Sequence, residues 1–249
     1  MFEKAGKWLG HSVLDLVYPS ACAVCETPLS EGRTICEGCA GEFRRVTKPF
    51  CQVCGEGFAG AIEGAFSCPN CRGQRFGFAF ARPAFFRTEP LLELIHRLKY
   101  GREIHLAKGL GELACGAFAD GRLERAKEEG WPLVPVPLHK RRLQGRHFNQ
   151  AEEIAREMGR RLGIEVLPAL RRVRDTRTQT LLSRAERLEN LRHAFEISRV
   201  GKRWLSSENR PGVVLVDDVF TTGSTVNACA KVLKWAGVRE VAVVTVMRG

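Results

Sequence analysis

The sequence of 249 residues predicts an α/β protein, in which a parallel sheet flanked by helices follows a cysteine-rich N-terminal module. The apolar run at 213–216 has the length and composition of a strand buried on both faces, as the strands of parallel sheets are, and the run at 133–136 predicts a second strand. Each run is followed by a stretch with helical periodicity, and strands that alternate with helices indicate this fold class. Eight of the ten cysteines lie between residues 22 and 71, which sets the N-terminal third apart.

These eight cysteines form four C-x-x-C pairs, a spacing that lets both sulfurs of a pair reach one tetrahedral ion at about 2.3 Å each. The pairs are Cys22 and Cys25, Cys36 and Cys39, Cys51 and Cys54, and Cys68 and Cys71. We therefore expect two structural zinc sites of four cysteines each. Disulfides and redox-active pairs are the alternatives, but the sequence has neither a secretory signal pattern nor a thioredoxin-like context.

The pairing of these cysteines is less strongly determined than their number. Sequential pairing joins Cys22, Cys25, Cys36 and Cys39 at one ion and Cys51, Cys54, Cys68 and Cys71 at the other. It closes the shortest loops, although its advantage over interleaved pairing is only about 1 kcal/mol. We expect sequential ribbons, with Cys115 and Cys229 outside both sites as buried packing residues.

The formal charge of +11 lies entirely outside the N-terminal third. Residues 1–80 hold eight basic and eight acidic residues, whereas 140–192 alone hold 14 basic and 7 acidic residues. A basic half indicates polyanionic ligands such as pyrophosphate, nucleotides or nucleic acid, and ordinary solubility charge is the alternative. We expect domains at 1–75 and 76–249.

The sequence contains no apolar run near 18 residues, so no membrane-spanning helix is expected. His11 and Asp15 interrupt the apolar stretch near the N-terminus, which predicts an amphipathic helix rather than a signal peptide. A cytoplasmic location is therefore expected.

The most specific motif is VVLVDDVFTTGST at 213–225. An apolar strand is followed by Asp217 and Asp218 and then by a small-residue turn, which comprises Thr221, Thr222, Gly223, Ser224 and Thr225. A helix is expected from Val226, with Gly237 placed to end it. Backbone N–H groups of such a turn converge at the positive end of the helix, which suits a phosphate. The acidic pair would repel phosphate and should face hydroxyl donors or a metal, so a sugar phosphate satisfies both ends. The alternative is a core strand that ends in a solvated acidic turn.

Three other segments carry candidate functional residues. A strand at 133–136, limited to an edge by its prolines, leads into a basic loop with Lys140, Arg141, Arg142 and Arg146, which predicts a pyrophosphate-binding loop or simply a charged surface. A helix from Pro90 carries His96, Lys99 and Tyr100, which could line a site or form a solvated edge. Residues 170–181 are expected to be mobile before a helix capped by Ser183, and 198–210 are expected to form a surface hairpin or loop.

These motifs together resemble the ComF family of competence-associated proteins. The resemblance covers nearly the whole chain and rests on YPSACAVC, LIHRLKYGRE, VPVPLHKRRLQGRHFNQAEEIA, RTQTLLSRAERLENLRHAF and VVLVDDVFTTGST. It implies a double zinc ribbon followed by a type I phosphoribosyltransferase fold, with a parallel sheet and a small hood. It also implies a role in natural transformation, handling incoming single-stranded DNA beside competence-machinery proteins.

The resemblance also implies a ligand, phosphoribosyl pyrophosphate (PRPP) with Mg²⁺. Asp217 and Asp218 would hold the ribose hydroxyls, and Thr221, Thr222, Gly223, Ser224 and Thr225 would bind the 5′-phosphate. Lys140 and Arg141 would neutralise the departing diphosphate. The sequence does not identify the acceptor, and two alternatives stay open: a non-catalytic adaptor for single-stranded DNA, and a regulator that senses PRPP or a nucleotide.

Overall fold

The computed structural model describes residues 21–30, 32–58, 60, 64–175, 191, 193–207 and 212–249. The expected N-terminal amphipathic helix and the start of the helix expected from Ser183 lie outside these residues. The segment expected to be mobile is described only as far as residue 175, and its first residues form a strand.

Four strands form a parallel sheet in the order β1-β6-β5-β2, and two more form a small antiparallel pair, β3 with β4. The strands are β1 (Phe80–Phe86), β2 (Leu133–Pro135), β3 (Leu170–Arg172), β4 (Phe195–Ile197), β5 (Val213–Phe220) and β6 (Val241–Arg248). The parallel sheet confirms the predicted fold class. Both strands that contain proline, β1 and β2, lie at its edges, where the missing N–H of a proline costs least.

Eight α-helices lie in the described residues, together with a 3₁₀ turn at Gly116–Ala119. They are α1 (Glu37–Glu42), α2 (Glu89–Tyr100), α3 (Leu106–Cys115), α4 (Gly121–Glu128), α5 (Lys140–Arg146), α6 (Gln150–Leu162), α7 (Arg199–Leu205) and α8 (Ser224–Trp235). Helix α6 begins as expected at Asn149, whose side chain accepts a hydrogen bond from the N–H of Ala151 at 3.2 Å.

Two segments that we expected to be loops are helices. The basic segment forms α5, capped by His139, whose Nδ1 accepts from the N–H of Arg141 at 3.4 Å. The segment after β4 forms α7, capped by Ser198, whose Oγ accepts from the N–H of Gly201 at 2.9 Å. Both predictions were wrong because a capping side chain can start a short helix whose composition is mostly polar.

The sheet has two buried faces with different neighbours. On the first face, Val214 and Val216 pack in one cluster with residues of α2, α3 and α6. On the second face, Val213 and Leu215 pack with residues of α8 and with four cysteines between positions 51 and 71. Side chains of a strand alternate between faces, so neighbouring residues of β5 enter different surroundings.

The cysteine-rich module is built directly onto the edge of the sheet. The N–H of Val46 donates to the carbonyl of Ala84 at 3.0 Å, and the N–H of Phe86 donates to the carbonyl of Arg44 at 2.8 Å. Residues 44–46 therefore run antiparallel along the free side of β1 and cover the edge that Pro83 weakens.

Candidate functional site

The acidic pair lies inside β5, where we had expected the strand to have ended. The strand continues to Phe220, and Asp217 is paired in register with Thr245 of β6. Side chains alternate along a strand, so the two side chains leave β5 in different directions, but their carboxyl groups still interact directly with each other. The structure therefore gives the two adjacent aspartates different partners, although their carboxyl groups interact.

Asp218 is compensated on the first face. Its carboxylate forms an ion pair with Lys99 at the end of α2, and the Nε2 of Gln150 donates to it at 3.5 Å. The Asp218 side chain is 5% exposed and that of Lys99 is 18% exposed. Burial raises the pKa of Asp218, but the Lys99 ammonium outweighs burial and lowers it below the ordinary value. The pair is thus ionised and held in place.

Asp217 lies on the second face and lines a small cleft of about 30 Å³ with the 221–225 loop. Its Oδ1 accepts a hydrogen bond from the N–H of Asp218 at 2.9 Å. Burial, followed by the charge of Asp218, raises the pKa of Asp217 well above its ordinary value. The ion pairs found among the described residues include Asp218 but not Asp217.

The 221–225 loop leads into α8 through a residue with a left-handed backbone. Gly223 has φ 73°, and a Cβ at this position would lie 2.6 Å from the Cζ atom of Phe220. Only glycine meets both conditions without strain. The hydroxyls of Thr222 and Ser224 are hydrogen-bonded at 2.8 Å, and Ser224 is buried at the first position of the helix. The N-terminus of a 12-residue helix therefore lies beside Asp217, and the N–H of Ser224 in its first turn donates to the Thr222 hydroxyl at 3.4 Å.

The basic helix α5 lies next to the acidic pair, because β2 is the strand neighbour of β5. Lys140 and Arg141 are exposed, and the Nη1 of Arg141 pairs with the carboxylate of Asp175 at 3.1 Å. Arg146 has the more direct connection, since its Nη1 donates to Gln150 at 3.1 Å, and Gln150 in turn contacts Asp218.

The sequence patterns did not identify Lys99 as the ion-pair partner of Asp218. We weighed it equally as a site residue and as part of a solvated edge, and it is the ionic partner of Asp218. Its position one turn beyond Ile95 on the apolar side of α2 was the available signal. What the sequence could not supply was the proximity of α2 and β5.

The eight N-terminal cysteines form two groups as expected from sequential pairing. We call Cys22, Cys25, Cys36 and Cys39 the first cysteine group, and Cys51, Cys54, Cys68 and Cys71 the second cysteine group. Within each group the sulfurs lie within 4.8 Å of one another. Distances of 3.7 Å from Cys25 to Cys36 and from Cys54 to Cys68 match the spacing of about 3.8 Å that a tetrahedral zinc ion with bonds of 2.3 Å imposes.

Backbone amides support the same interpretation of both groups. The N–H of Cys36 points at the sulfur of Cys22, and the N–H of Cys68 points at the sulfur of Cys51, each at 3.3 Å. Such contacts stabilise thiolates and orient metal ligands. Of the two remaining cysteines, Cys229 is fully buried as expected and Cys115 is only partly buried.

Sequence comparisons agree with the two cysteine groups and with the overall architecture. The family described as "Double zinc ribbon domain" matches residues 13–73. Among the curated proteins, "Competence protein F" of Haemophilus influenzae is 32% identical over 84% of this chain and 88% of its own length. "DNA utilization protein YhgH" of Escherichia coli is 32% identical over 92% and 96%, and "Competence protein ComFC" of Streptococcus pneumoniae is 26% identical over 86% and 87%.

In the part of the chain that the structure describes, none of the helices combines the length and the hydropathy needed to cross a bilayer. Each of these alignments spans more than four fifths of both proteins. This chain therefore belongs to the ComF family.

Proposed function

We propose that this protein binds a phosphorylated pentose, with PRPP and Mg²⁺ as the best-fitting ligand, where β5 meets the 221–225 loop. The observation that carries the proposal is the cleft shared by the Asp217 carboxylate and that loop. The Asp217 carboxylate on one side of the cleft accepts hydrogen bonds, and α8 begins at Ser224 on the other side. A sugar phosphate presents hydroxyl donors and an anion in one molecule.

The phosphate end of the proposal rests on the start of α8. Backbone N–H groups at a helix N-terminus have no intrahelical acceptor, and the helix dipole adds about half a positive charge there. The hydroxyls of Thr222 and Ser224 lie at the same turn, so they supply further donors. Gly223, with its left-handed backbone and the Phe220 ring where a Cβ would be, sets the turn from which these N–H groups point.

The ribose end rests on the electrostatic state of Asp217. A carboxylate whose pKa is raised by burial and by a like charge is costly to keep ionised without a partner. Ribose hydroxyls that donate to Asp217 would relieve this cost, and Mg²⁺ brought by the diphosphate would add positive charge nearby. Asp218 is already paired with Lys99, so its role would be to fix the end of β5 and to reach the sugar only by exchanging that partner.

If the protein also transfers the phosphoribosyl group, the reaction is a displacement at the anomeric carbon. The bond from C1 to the pyrophosphate oxygen breaks with its electron pair going to pyrophosphate, and an acceptor lone pair forms the new bond. Lys140 and Arg141 at the start of α5 are the proposed groups that would neutralise the leaving diphosphate. Arg141 would have to leave Asp175 to do so.

The test is calorimetric titration of the zinc-loaded protein with PRPP and Mg²⁺. We expect saturable binding that Asp217→Asn weakens at least about tenfold, as for the loss of a charged hydrogen-bond acceptor. Glu112→Gln is the matched control, because it removes one half-exposed carboxylate on α3. Equal binding by wild type and Asp217→Asn would contradict the proposed site. Once binding is established, a screen for pyrophosphate release with candidate acceptors tests transfer.

The names of the relatives refer to competence and to DNA utilization, so we extend the proposal to a role in DNA uptake or use. A specific observation favours a second function there, the handling of single strands by a non-catalytic surface. Tyr100 is 70% exposed, the guanidinium of Arg146 lies 5.0 Å from its ring centre, and Arg102 donates to the carbonyl of Gly145 nearby. An exposed aromatic ring among arginines is suited to stacking bases and binding phosphates.

This second function predicts binding of a labelled oligo(dT) that weakens steeply with salt. Tyr100→Ala should weaken it about tenfold, as the loss of one stacked base would. Trp235→Ala is the matched control, since Trp235 is an exposed aromatic residue (79%) at the end of α8. Binding that is independent of salt, or lost equally in both variants, would argue against a Tyr100 platform.

A further inference from the structure

We infer that Arg248 and the second cysteine group position the 221–225 loop, so that the metal state of this group sets the loop's affinity for phosphate. The inference rests on the proposed function for its ligand, but the loop contacts stand independently of it. Arg248 is the last residue of β6, and its side chain is only 11% exposed. It is therefore a buried charge at the edge where the loop begins.

The first step is the contact between Arg248 and the loop backbone. Its Nη1 donates to the carbonyls of Phe220 and Thr221, at 2.9 Å each, and its guanidinium lies 5.4 Å from the centre of the Phe220 ring. These two carbonyls belong to the residues that turn the chain from β5 into the loop. One planar cation with several fixed donors thus determines the direction in which the loop leaves the sheet.

The second step joins Arg248 to the second cysteine group. Its Nη2 forms an ion pair with Glu56, which lies two residues after Cys54. The carbonyl of Glu56 accepts from the N–H of Cys51 at 2.7 Å, so Glu56 is part of the same tight turn as two of the four thiols. The turn that would wrap one metal ion therefore holds the carboxylate that orients Arg248.

The third step is direct packing between the cysteines and the loop. Cys54, Cys71, Thr221 and Thr222 line one small cavity of about 140 Å³. The Phe220 ring lines the same cavity and packs edge-on against Phe78 with 6.0 Å between ring centres, and Gly223 lies next to its Cζ atom. Displacement of the cysteine turn would therefore be transmitted to Phe220 and to the residues that follow it.

The first cysteine group has an anchor of the same chemistry in a different place. Arg97 of α2 donates from Nη1 to the carbonyl of Ala23 at 2.6 Å and pairs with Glu103. This arginine joins a cysteine turn to a carboxylate as Arg248 does, but it does so on α2 rather than at the loop. Arg97→Met is therefore a matched control for Arg248→Met.

The experiment measures hydrogen exchange of the 221–225 amides, zinc per chain, and PRPP–Mg²⁺ binding in each variant. We expect Arg248→Met to speed loop exchange and weaken PRPP binding about tenfold each, with two zinc ions retained. Arg248→Lys should recover part of both effects because an ammonium can still donate to the carbonyls, and Glu56→Gln should show a smaller effect than Arg248→Met. Arg97→Met should leave both readouts within about twofold of wild type.

A second arm removes metal from one group at a time. Cys54→Ser with Cys71→Ser should loosen the loop as Arg248→Met does, whereas Cys25→Ser with Cys36→Ser should not. If the first of these variants does not fold, the arginine variants decide the question. Unchanged loop exchange in Arg248→Met, or equal effects of Arg97→Met, would overturn the inference. Faster exchange in Arg248→Met in a protein that never binds PRPP would support the positioning role and overturn the proposed ligand.

Discussion

On the first face of the sheet, Asp218 is paired with Lys99 and contacted by Gln150, and the nearby first cysteine group has one exposed and one partly buried thiol. On the second face, Asp217 carries a raised pKa and opens onto a cleft, while all four thiols of the second cysteine group are buried. Each face thus holds one aspartate of the pair and is packed against one cysteine group. The face with the ion-paired aspartate has the more exposed thiols, and the face whose aspartate has the raised pKa has the buried ones.

This difference indicates that the two aspartates have different roles, Asp218 in stability and Asp217 in binding. A compensated buried charge fixes structure, because it has no free capacity for a ligand. Asp217 has a raised pKa and no ion pair among the described residues, so its ionised form is costly until a ligand donates hydrogen bonds to it. The second cysteine group, whose four thiols are all buried, packs against the same face of the sheet as Asp217. The more deeply buried cysteine group is therefore the one next to the carboxylate with the raised pKa.

The largest expected difference between the two faces is the loss of unfolding free energy when one cysteine ligand is removed. Cys51→Ser removes a fully buried ligand and should lower the free energy of unfolding by more than about 4 kcal/mol, because metal loss also unravels part of the second face. Cys25→Ser removes an exposed ligand and should cost about 2 kcal/mol or less. Urea unfolding with zinc counting measures both, and equal losses would mean that the two ribbons are equivalent supports.

The two aspartates should respond with opposite signs to the same substitution. Asp218→Asn leaves Lys99 without its anion and should lower the free energy of unfolding by about 3 kcal/mol. Asp217→Asn removes a buried like charge and should raise it by about 1 kcal/mol while weakening PRPP binding. Denaturant unfolding of the two variants, made in the same background, provides the control for each, and destabilisation by both would remove the proposed asymmetry.

A glycine in each ribbon sharpens the comparison further. A Cβ at Gly57 would lie 2.4 Å from the Phe86 ring, so Gly57→Ala should cost about 2 kcal/mol through overpacking. A Cβ at Gly41 would meet nothing within 4 Å, and Gly41→Ala inside α1 should add about 0.5 kcal/mol. Melting temperatures of the two variants should move in opposite directions, and a similar shift in both would show that neither ribbon packs more tightly.

The sequence predicted the sheet, both cysteine groups and the position of the glycine turn, because these depend on local spacing. The apolar runs of β2 and β5 and the C-x-x-C pairs are short-range patterns, and the structure contains all of them. Helix α5 was missed because its start depends on the side chain of His139, which residue composition does not reveal.

The division between Asp217 and Asp218 was beyond the reach of sequence patterns. We expected both to follow the strand and to act together, but β5 continues to Phe220 and its alternation gives the two side chains different directions, so the ion pair with Lys99 is formed by Asp218. The partners of Asp218 come from α2 and α6, far away in sequence, and the ion pair of Arg248 with Glu56 likewise joins distant parts of the chain. Long-range pairings of this kind are set by tertiary packing rather than by local pattern.

The smallest expected effect is a pH dependence that separates the aspartates. Burial, together with the Asp218 charge, raises the pKa of Asp217 above its ordinary value of 3.8. Its stabilising contribution is therefore present below about pH 4 and is lost as pH rises through the raised pKa. For Asp218, burial acts upward but Lys99 outweighs it and lowers the pKa, so its contribution is present above pH 4 and is lost only on acidification.

As pH rises above about 4, wild type should lose unfolding free energy relative to Asp217→Asn, because only wild type has this carboxyl to ionise. Urea unfolding across the range, with zinc content checked at each pH, measures the difference, and Glu112→Gln should follow wild type. Parallel curves for wild type and Asp217→Asn would mean that Asp217 ionises without cost. A sugar phosphate that donates hydrogen bonds to Asp217 would then have no cost of ionisation to offset.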